Sequence, residues 1–225
     1  MTRGCYDFVV FDCDGVIFDS NALKTEAFRQ TLEAYPAEQV QAFIAYHQRE
    51  GGVSRYVKLQ RFADEIAGLE PPTDAVVQGL LERFGNVCRD LYEVAPLTPG
   101  AETLLRGLAS LTPLYVASGS DEAELRDVFR KRGLESLFSA IYGSPRRKTD
   151  CVAEVRRGHP GERGLMVGDA RSDWQAAIDN DLDFAFMTDF TDNPALSDEI
   201  VGAARATTIP SLLALSEILE RGVGA

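Results

Sequence analysis

The chain is short of positive charge, of histidine and of paired cysteine, and each shortage removes a class of function. Only 23 Lys and Arg face 35 Asp and Glu, giving −12 over 225 residues. Most of such a surface repels phosphate backbones and anionic lipid, so nucleic acid and membrane are disfavoured as partners. A small anionic ligand stays admissible where basic residues gather locally. Two histidines and four cysteines (Cys5, Cys13, Cys88 and Cys151) offer no CxxC pair and no Cys/His ligand spacing. That disfavours a zinc site and fits scattered reduced thiols in a cytoplasm. No stretch approaches the ~18 consecutive apolar residues of a membrane span, and MTRGCYD lacks the apolar core of a signal peptide. A soluble, cytoplasmic protein is the expectation. With 45% hydrophobic and 26% charged residues the composition is globular, and the length allows one domain or two.

What is present is a series of short apolar runs that end in polar residues. FVVF precedes Asp12, LYVAS ends at Ser118, AIYGS at Ser144 and GLMVGD at Asp169, and DFAFMTD surrounds Phe186. Helix-like stretches separate them at 100–110, 121–132, 149–157 and 171–180. Strands alternating with helices predict an α/β protein, a Rossmann-like doubly wound parallel sheet with right-handed crossovers. Ligands of such sheets sit outside the carboxyl ends of the strands, where Asp12, Ser118 and Asp169 all fall. Between the first strand and Pro96 the pattern changes to four amphipathic stripes: Leu23 to Tyr35, Val40 to His47, Tyr56 to Ile66 and Val76 to Leu91. Residues 17–94 are therefore expected to form an inserted helical cap, like a four-helix bundle, with 1–16 and 95–225 as the core.

The chemistry is expected where carboxylates gather. Asp12 and Asp14 follow the first strand, and Asp169 and Asp173 lie in VGDARSD after a later one. Two carboxylates ~4 Å apart repel by ~4 kcal/mol at an effective dielectric of about 20. One lysine cannot offset several such pairs. A divalent cation can, and oxygen ligands without His or Cys point to magnesium and so to phosphate chemistry. Ser118, at a strand end before a helix, suits a phosphate oxygen. Lys148 supplies a compact positive charge for a nucleophilic carboxylate and a phosphoryl group. Taken singly, each residue reads as a turn, a helix cap or a solvated charge, and the joint pattern carries the weight. His47 and His159 read as a helix-face and a loop residue without a role.

DCDGVIFDS, Ser118, Lys148 and GDARSD resemble, in order, the four motifs of the haloacid dehalogenase superfamily of phosphohydrolases. The helical insert is similar to the cap of the beta-phosphoglucomutase-like branch. The resemblance implies that Asp12 is the nucleophile of an aspartyl-phosphate mechanism, with Asp14 as general acid and then base. It implies that Asp12, the Asp14 carbonyl and Asp169 hold Mg2+, with Asp173 as a ligand or supporting partner, and that Ser118 and Lys148 hold the phosphoryl group. Dehalogenases and phosphonate hydrolases of this fold lack an aspartate at the position of Asp14, which favours phosphate esters.

In the cap, REGGVSRYVKL resembles the branch's specificity loop, so Arg55 is expected to reach an anionic or polar part of the substrate. Lys24 stands where the mutase has a histidine, which favours a phosphatase, and is either a substrate contact or a solvated helix residue. The expected activity is Mg-dependent hydrolysis of a small phosphorylated metabolite, a sugar phosphate above all. A phosphomutase is the enzyme alternative and a phospho-accepting receiver-like signalling module the non-enzymatic one. Monomer is the default, with a dimer left open.

Overall fold

The computed structural model describes residues 5–223. FVVF forms β1 (Phe8–Phe11), with all four residues buried. β2 (Leu114–Asp121), β3 (Ala140–Ser144), β4 (Gly164–Gly168), β5 (Asp183–Met187) and β6 (Ala206–Ile209) complete a parallel sheet in the order β3-β2-β1-β4-β5-β6. Alternation along the strands feeds two cores. Val9, Phe11, Leu165 and Val167 face one layer, while Phe8, Val10 and Met166 face the other. Burial on both faces explains why these strands read as unbroken apolar runs. The flanking helices are α5 (Ala101–Leu108), α6 (Glu122–Lys131), α7 (Lys148–Arg157), α8 (Arg171–Asp179), α9 (Leu196–Ile200) and α10 (Leu215–Arg221). The expected α/β doubly wound sheet is present, and β6 is an addition that ATTI did not announce.

The chain builds β2 and β3 on one side of β1, then returns to build β4, β5 and β6 on the other. The strand order thus reverses beside β1, and the crevice at that reversal lies over the residues that follow β1 and β4. Asp12 and Asp169 occupy those positions, and the Asp12 amide donates to the Val167 carbonyl at 2.9 Å.

Between β1 and α5 the structure holds helices: α1 (Asn21–Thr31), α2 (Ala37–Arg49), α3 (Arg55–Arg61) running on into a π-turn at Phe62–Ile66, and α4 (Asp74–Val94). Their apolar stripes meet in an aromatic centre. Phe28 stacks on Phe84 with centroids 4.0 Å apart, and Phe43 packs edge-on against Phe28 and Phe62. Truncating one of these rings to alanine would cost about 3–5 kcal/mol. The entering and leaving chains run side by side: Phe18 bridges Leu97 antiparallel, and the Asp19 amide donates to the Pro96 carbonyl at 2.9 Å. Two adjacent single connections make a natural hinge between insert and sheet.

Candidate active site

The crevice gathers the acidic residues from two neighbouring strand ends. Asp12, Asp169 and Asp173 are buried, and each offers a carboxylate oxygen within 4.8 Å of the others. Asp12 follows β1, Asp169 follows β4, and Asp173 sits in the first turn of α8. Asp173 Oδ2 accepts the Asp169 and Ala170 amides at 3.1 and 3.0 Å, capping that helix, while its other oxygen pairs with Lys148. Lys148 opens α7 and reaches Asp12 Oδ2 at 2.8 Å. Asn21, from the first turn of α1, donates to Asp169 Oδ2 at 2.6 Å.

Gly15 allows this crowding. It holds φ +73, and a β-carbon there would collide with the Asp169 carboxylate.

One cation, paired with two of them, thus faces three buried carboxylates. Burial pushes Asp12 up to about 7, the Asp173 charge adds to the rise, and Lys148 opposes it. Burial, with the charges of Asp12 and Asp173, holds Asp169 well above the ordinary carboxylate range. For Lys148, burial works against the charged form, but the two aspartates outweigh it and keep the ammonium charged. The cluster carries more negative charge than its protein partners neutralise. Its donors are all hard oxygens, and the set fits a divalent cation.

Asp14 stands apart from this cluster. Its carboxylate accepts Ser20 Oγ at 2.6 Å, Lys24 Nζ at 2.5 Å, Tyr92 OH at 2.5 Å and Ser120 Oγ at 2.9 Å. Burial alone would raise its pKa, but the Lys24 charge and the hydrogen bonds from Lys24, Ser20 and Tyr92 bring it down to about 2. Three of the four donors belong to the helical insert or its entry. Lys24 is therefore neither solvated nor free, because its ammonium also reaches Ser120 Oγ.

Ser118 is buried in β2, its Oγ accepts the Ser120 amide at 3.2 Å, and it lines the cavity above the cluster. Ser120 and Tyr92 escaped the reading of the sequence. Their sign was an OH-bearing residue at a strand end and a polar tip on an apolar helix stripe.

The cap closes directly over these groups. Ser172 Oγ donates to the Gly51 carbonyl at 3.0 Å. A β-carbon on Gly52 (φ +73) would strike Ser172 Oγ and come within 3.0 Å of Lys148 Nζ. Arg55, at the start of α3, is buried against Glu124 of α6 in a two-pronged pair and stacks over the Phe84 ring at 4.9 Å. It lines the cavity, but its charge is already matched by a core carboxylate.

His47 lies on the inward face of α2. It is buried beside Phe28 and accepts Lys58 Nζ at Nδ1, 2.8 Å away. Lys58 and His47 line the same cavity, and neither was expected there. His159 lies apart, stacked on Phe8 and within 2.8 Å of Tyr115 OH.

An α/β sheet with acidic strand ends under a helical cap defines a class of hydrolases, and comparison with known proteins gives the family. The family model for haloacid dehalogenase-like hydrolases matches residues 6–181, and the chain belongs to that family. It is 26% identical over 170 residues to (DL)-glycerol-3-phosphatase 1, mitochondrial, of Arabidopsis thaliana. That match takes in 75% of this chain and 53% of the plant protein, so the matched part spans about half the length of that curated relative. Among solved structures, CbbY from Rhodobacter sphaeroides in complex with phosphate shares the fold at TM-score 0.69, with 19% identity, 93% of this chain covered and 96% of the other. The HAD-hydrolase YfnB of Bacillus subtilis, bound to magnesium and showing interdomain movement, does so at TM-score 0.66, with 19% identity and 95% and 98% covered. Among the described residues no helix is long and apolar enough to cross a membrane.

Proposed function

We propose that the protein is a magnesium-dependent phosphatase acting on a small phosphorylated metabolite, a sugar or polyol phosphate, through an aspartyl-phosphate on Asp12. The observation that carries this reading is the pairing of Asp12 with Lys148 inside a buried carboxylate cluster, at the floor of a cavity closed by the cap. The family and the relatives named above support it.

In this reading Asp12 Oδ attacks phosphorus and the ester bond to the leaving alcohol breaks. Water then attacks the phosphorus of the acyl-phosphate, returning the Asp12 carboxylate and releasing phosphate. Lys148 holds Asp12 in its ionised, nucleophilic form and offsets charge on the transferred group, and Ser118 offers a hydroxyl to its oxygens. Asp12 and Asp169 would hold the metal with the Asp14 main-chain carbonyl, and Asp173 would brace it from behind Lys148. Magnesium there would neutralise charge on the phosphoryl oxygens.

Asp14 moves the protons. In the closed arrangement it is a carboxylate, the form that takes a proton from water in the second step. To donate to the leaving oxygen it must first be protonated, which requires its donors to loosen. Ser20, Lys24 and Tyr92 all shift with the insert, so movement of the cap changes the form Asp14 holds.

The test is phosphate release from a panel of phosphorylated metabolites with Mg2+. Release that Asp12→Asn abolishes is expected. Isomerisation of a sugar phosphate without release would make the protein a mutase, and a long-lived phospho-Asp12 without turnover would make it a phospho-acceptor module.

A further inference from the structure

Each buried cation at the cavity meets a carboxylate except one. Lys148 pairs with Asp12 and Asp173, Lys24 with Asp14, and Arg55 with Glu124. Lys58 is 2% exposed, and no ion pair joins it to any acidic group among the described residues. Its Nζ donates to His47 Nδ1 at 2.8 Å and to the His47 carbonyl at 3.2 Å, which leaves the third N–H of the ammonium without a partner.

Because His47 Nδ1 accepts this bond, the neutral ring carries its proton on Nε2. That nitrogen is buried and has no partner. The two unspent N–H groups lie at opposite edges of the imidazole, and His47 Nε2 is fully buried, so the ammonium of Lys58 is the donor a ligand can meet. Both residues line the cavity whose floor holds Asp12 and Asp14, a space of about 50 Å³.

A buried ammonium without a counter-ion costs several kcal/mol, and a buried donor without an acceptor adds to that cost. The environment registers the deficit, since burial, helped by the Lys24 charge, brings Lys58 down to about 7. The negative charges that oppose this fall belong to Asp192 and Glu50, neither of which reaches ion-pair distance. Asp192 follows β5 in the core and lines the same cavity.

We propose that Lys58, positioned by His47, is a subsite for a carboxylate on the substrate, so that the phosphate ester hydrolysed is that of a small hydroxy acid. This rests on the phosphatase reading and narrows its substrate from sugar or polyol phosphates at large to a phosphate ester that carries a carboxylate. An ammonium with an unspent N–H and no acidic partner suits a carboxylate, and the two bonds to His47 fix its position. The carboxylate lies against the cap while the phosphoryl group lies against Asp12. Arg55 does not take this part, because Glu124 already fills both of its prongs.

The experiment compares glycerol 3-phosphate with 3-phosphoglycerate, which differ by a CH2OH in place of a carboxylate. Wild-type kcat/KM is expected to be at least about tenfold higher for the acid, mostly through a lower KM. Lys58→Met is expected to remove that preference, with Lys58→Gln as a second, hydrogen-bonding variant. His47→Gln is expected to weaken the preference less. Thermal unfolding of each variant shows that it folds.

Equal kcat/KM for the two esters in the wild type, or an acid preference that survives both Lys58 variants, overturns the subsite and leaves the phosphatase reading intact. No phosphate release from either ester or from p-nitrophenyl phosphate overturns the phosphatase reading itself.

Discussion

The two walls of the cleft are unbalanced in opposite directions. The core wall sets Asp12, Asp169 and Asp173 around the single ammonium of Lys148, a surplus of negative charge. The cap wall matches Lys24 and Arg55 one for one with carboxylates and leaves Lys58 with none. Net charge in a protein interior is costly unless a partner or a ligand offsets it. On the proposed function each imbalance is the imprint of a ligand: a cation and a phosphoryl group on the core side, an anion on the cap side. The two imprints sit at different levels of the function, one setting the chemistry and the other selecting the substrate.

The sharpest way to separate the walls is to remove charge from each in turn. Asp12→Asn deletes the proposed nucleophile and is expected to lower phosphate release by about four orders of magnitude, with near-native circular dichroism. Asp14→Asn takes the proton carrier away and should lower kcat by about 10²- to 10⁴-fold. Rapid-quench measurement is expected to show both phosphorylation and dephosphorylation of Asp12 slowed. Chelation of divalent metal should stop turnover, and restoring Mg2+ should both restore it and raise the melting temperature, because the ion relieves repulsion among the three aspartates.

Gly52→Ala tests how closely the walls must meet. A side chain at φ +73, pressed on Ser172 and Lys148, should hold the cap open, so kcat/KM should fall at least about tenfold and the melting temperature by a few degrees.

The smallest effect belongs to Lys58→Met in the absence of ligand. Folded, Lys58 loses its proton near pH 7; unfolded, it keeps it to near 10.5. Unfolding thus takes up a proton between these values, so this group's contribution to stability rises with pH across that window and falls as pH drops through it. The methionine variant should melt at least about 3 °C higher than wild type at pH 7, a gap that narrows toward pH 10. A constant gap across pH would mean that Lys58 finds a counter-charge in the folded chain.

The sequence showed the core wall more clearly than the cap wall, for physical reasons. Asp12 and Asp169 each follow an apolar run that is buried on both faces, so strand ends and acidic groups coincide in sequence as they do in space. The parallel sheet was legible for the same reason, except for β6, an edge strand of four residues in which only Ile209 is buried. The cap offers no such coincidence. Lys58 falls beside the stripe of Tyr56, Leu59 and Phe62 rather than on it, where a helical period alone leaves a lysine in water. Its burial depends on packing against α2, where His47 reads as one more position on a helix face.

The partners of Asp14 are as scattered, with Tyr92 78 residues away and Ser120 106. Arg55 finds Glu124 at a separation of 69, and nothing local in GGVSRYVK marks that guanidinium as already matched. Periodicity also carried the first cap helix to Tyr35, whereas α1 ends at Thr31 and Leu32 closes it.

The most direct measurement of the central claim is the phosphorylation state of Asp12 during turnover. Rapid acid quench of wild-type protein with Mg2+ and a phosphate ester, followed by peptide mass spectrometry, should find a transient phosphoryl group on Asp12. That signal should lengthen in Asp14→Asn and be missing in Asp12→Asn. Phosphate release at the wild-type rate from Asp12→Asn would contradict the account.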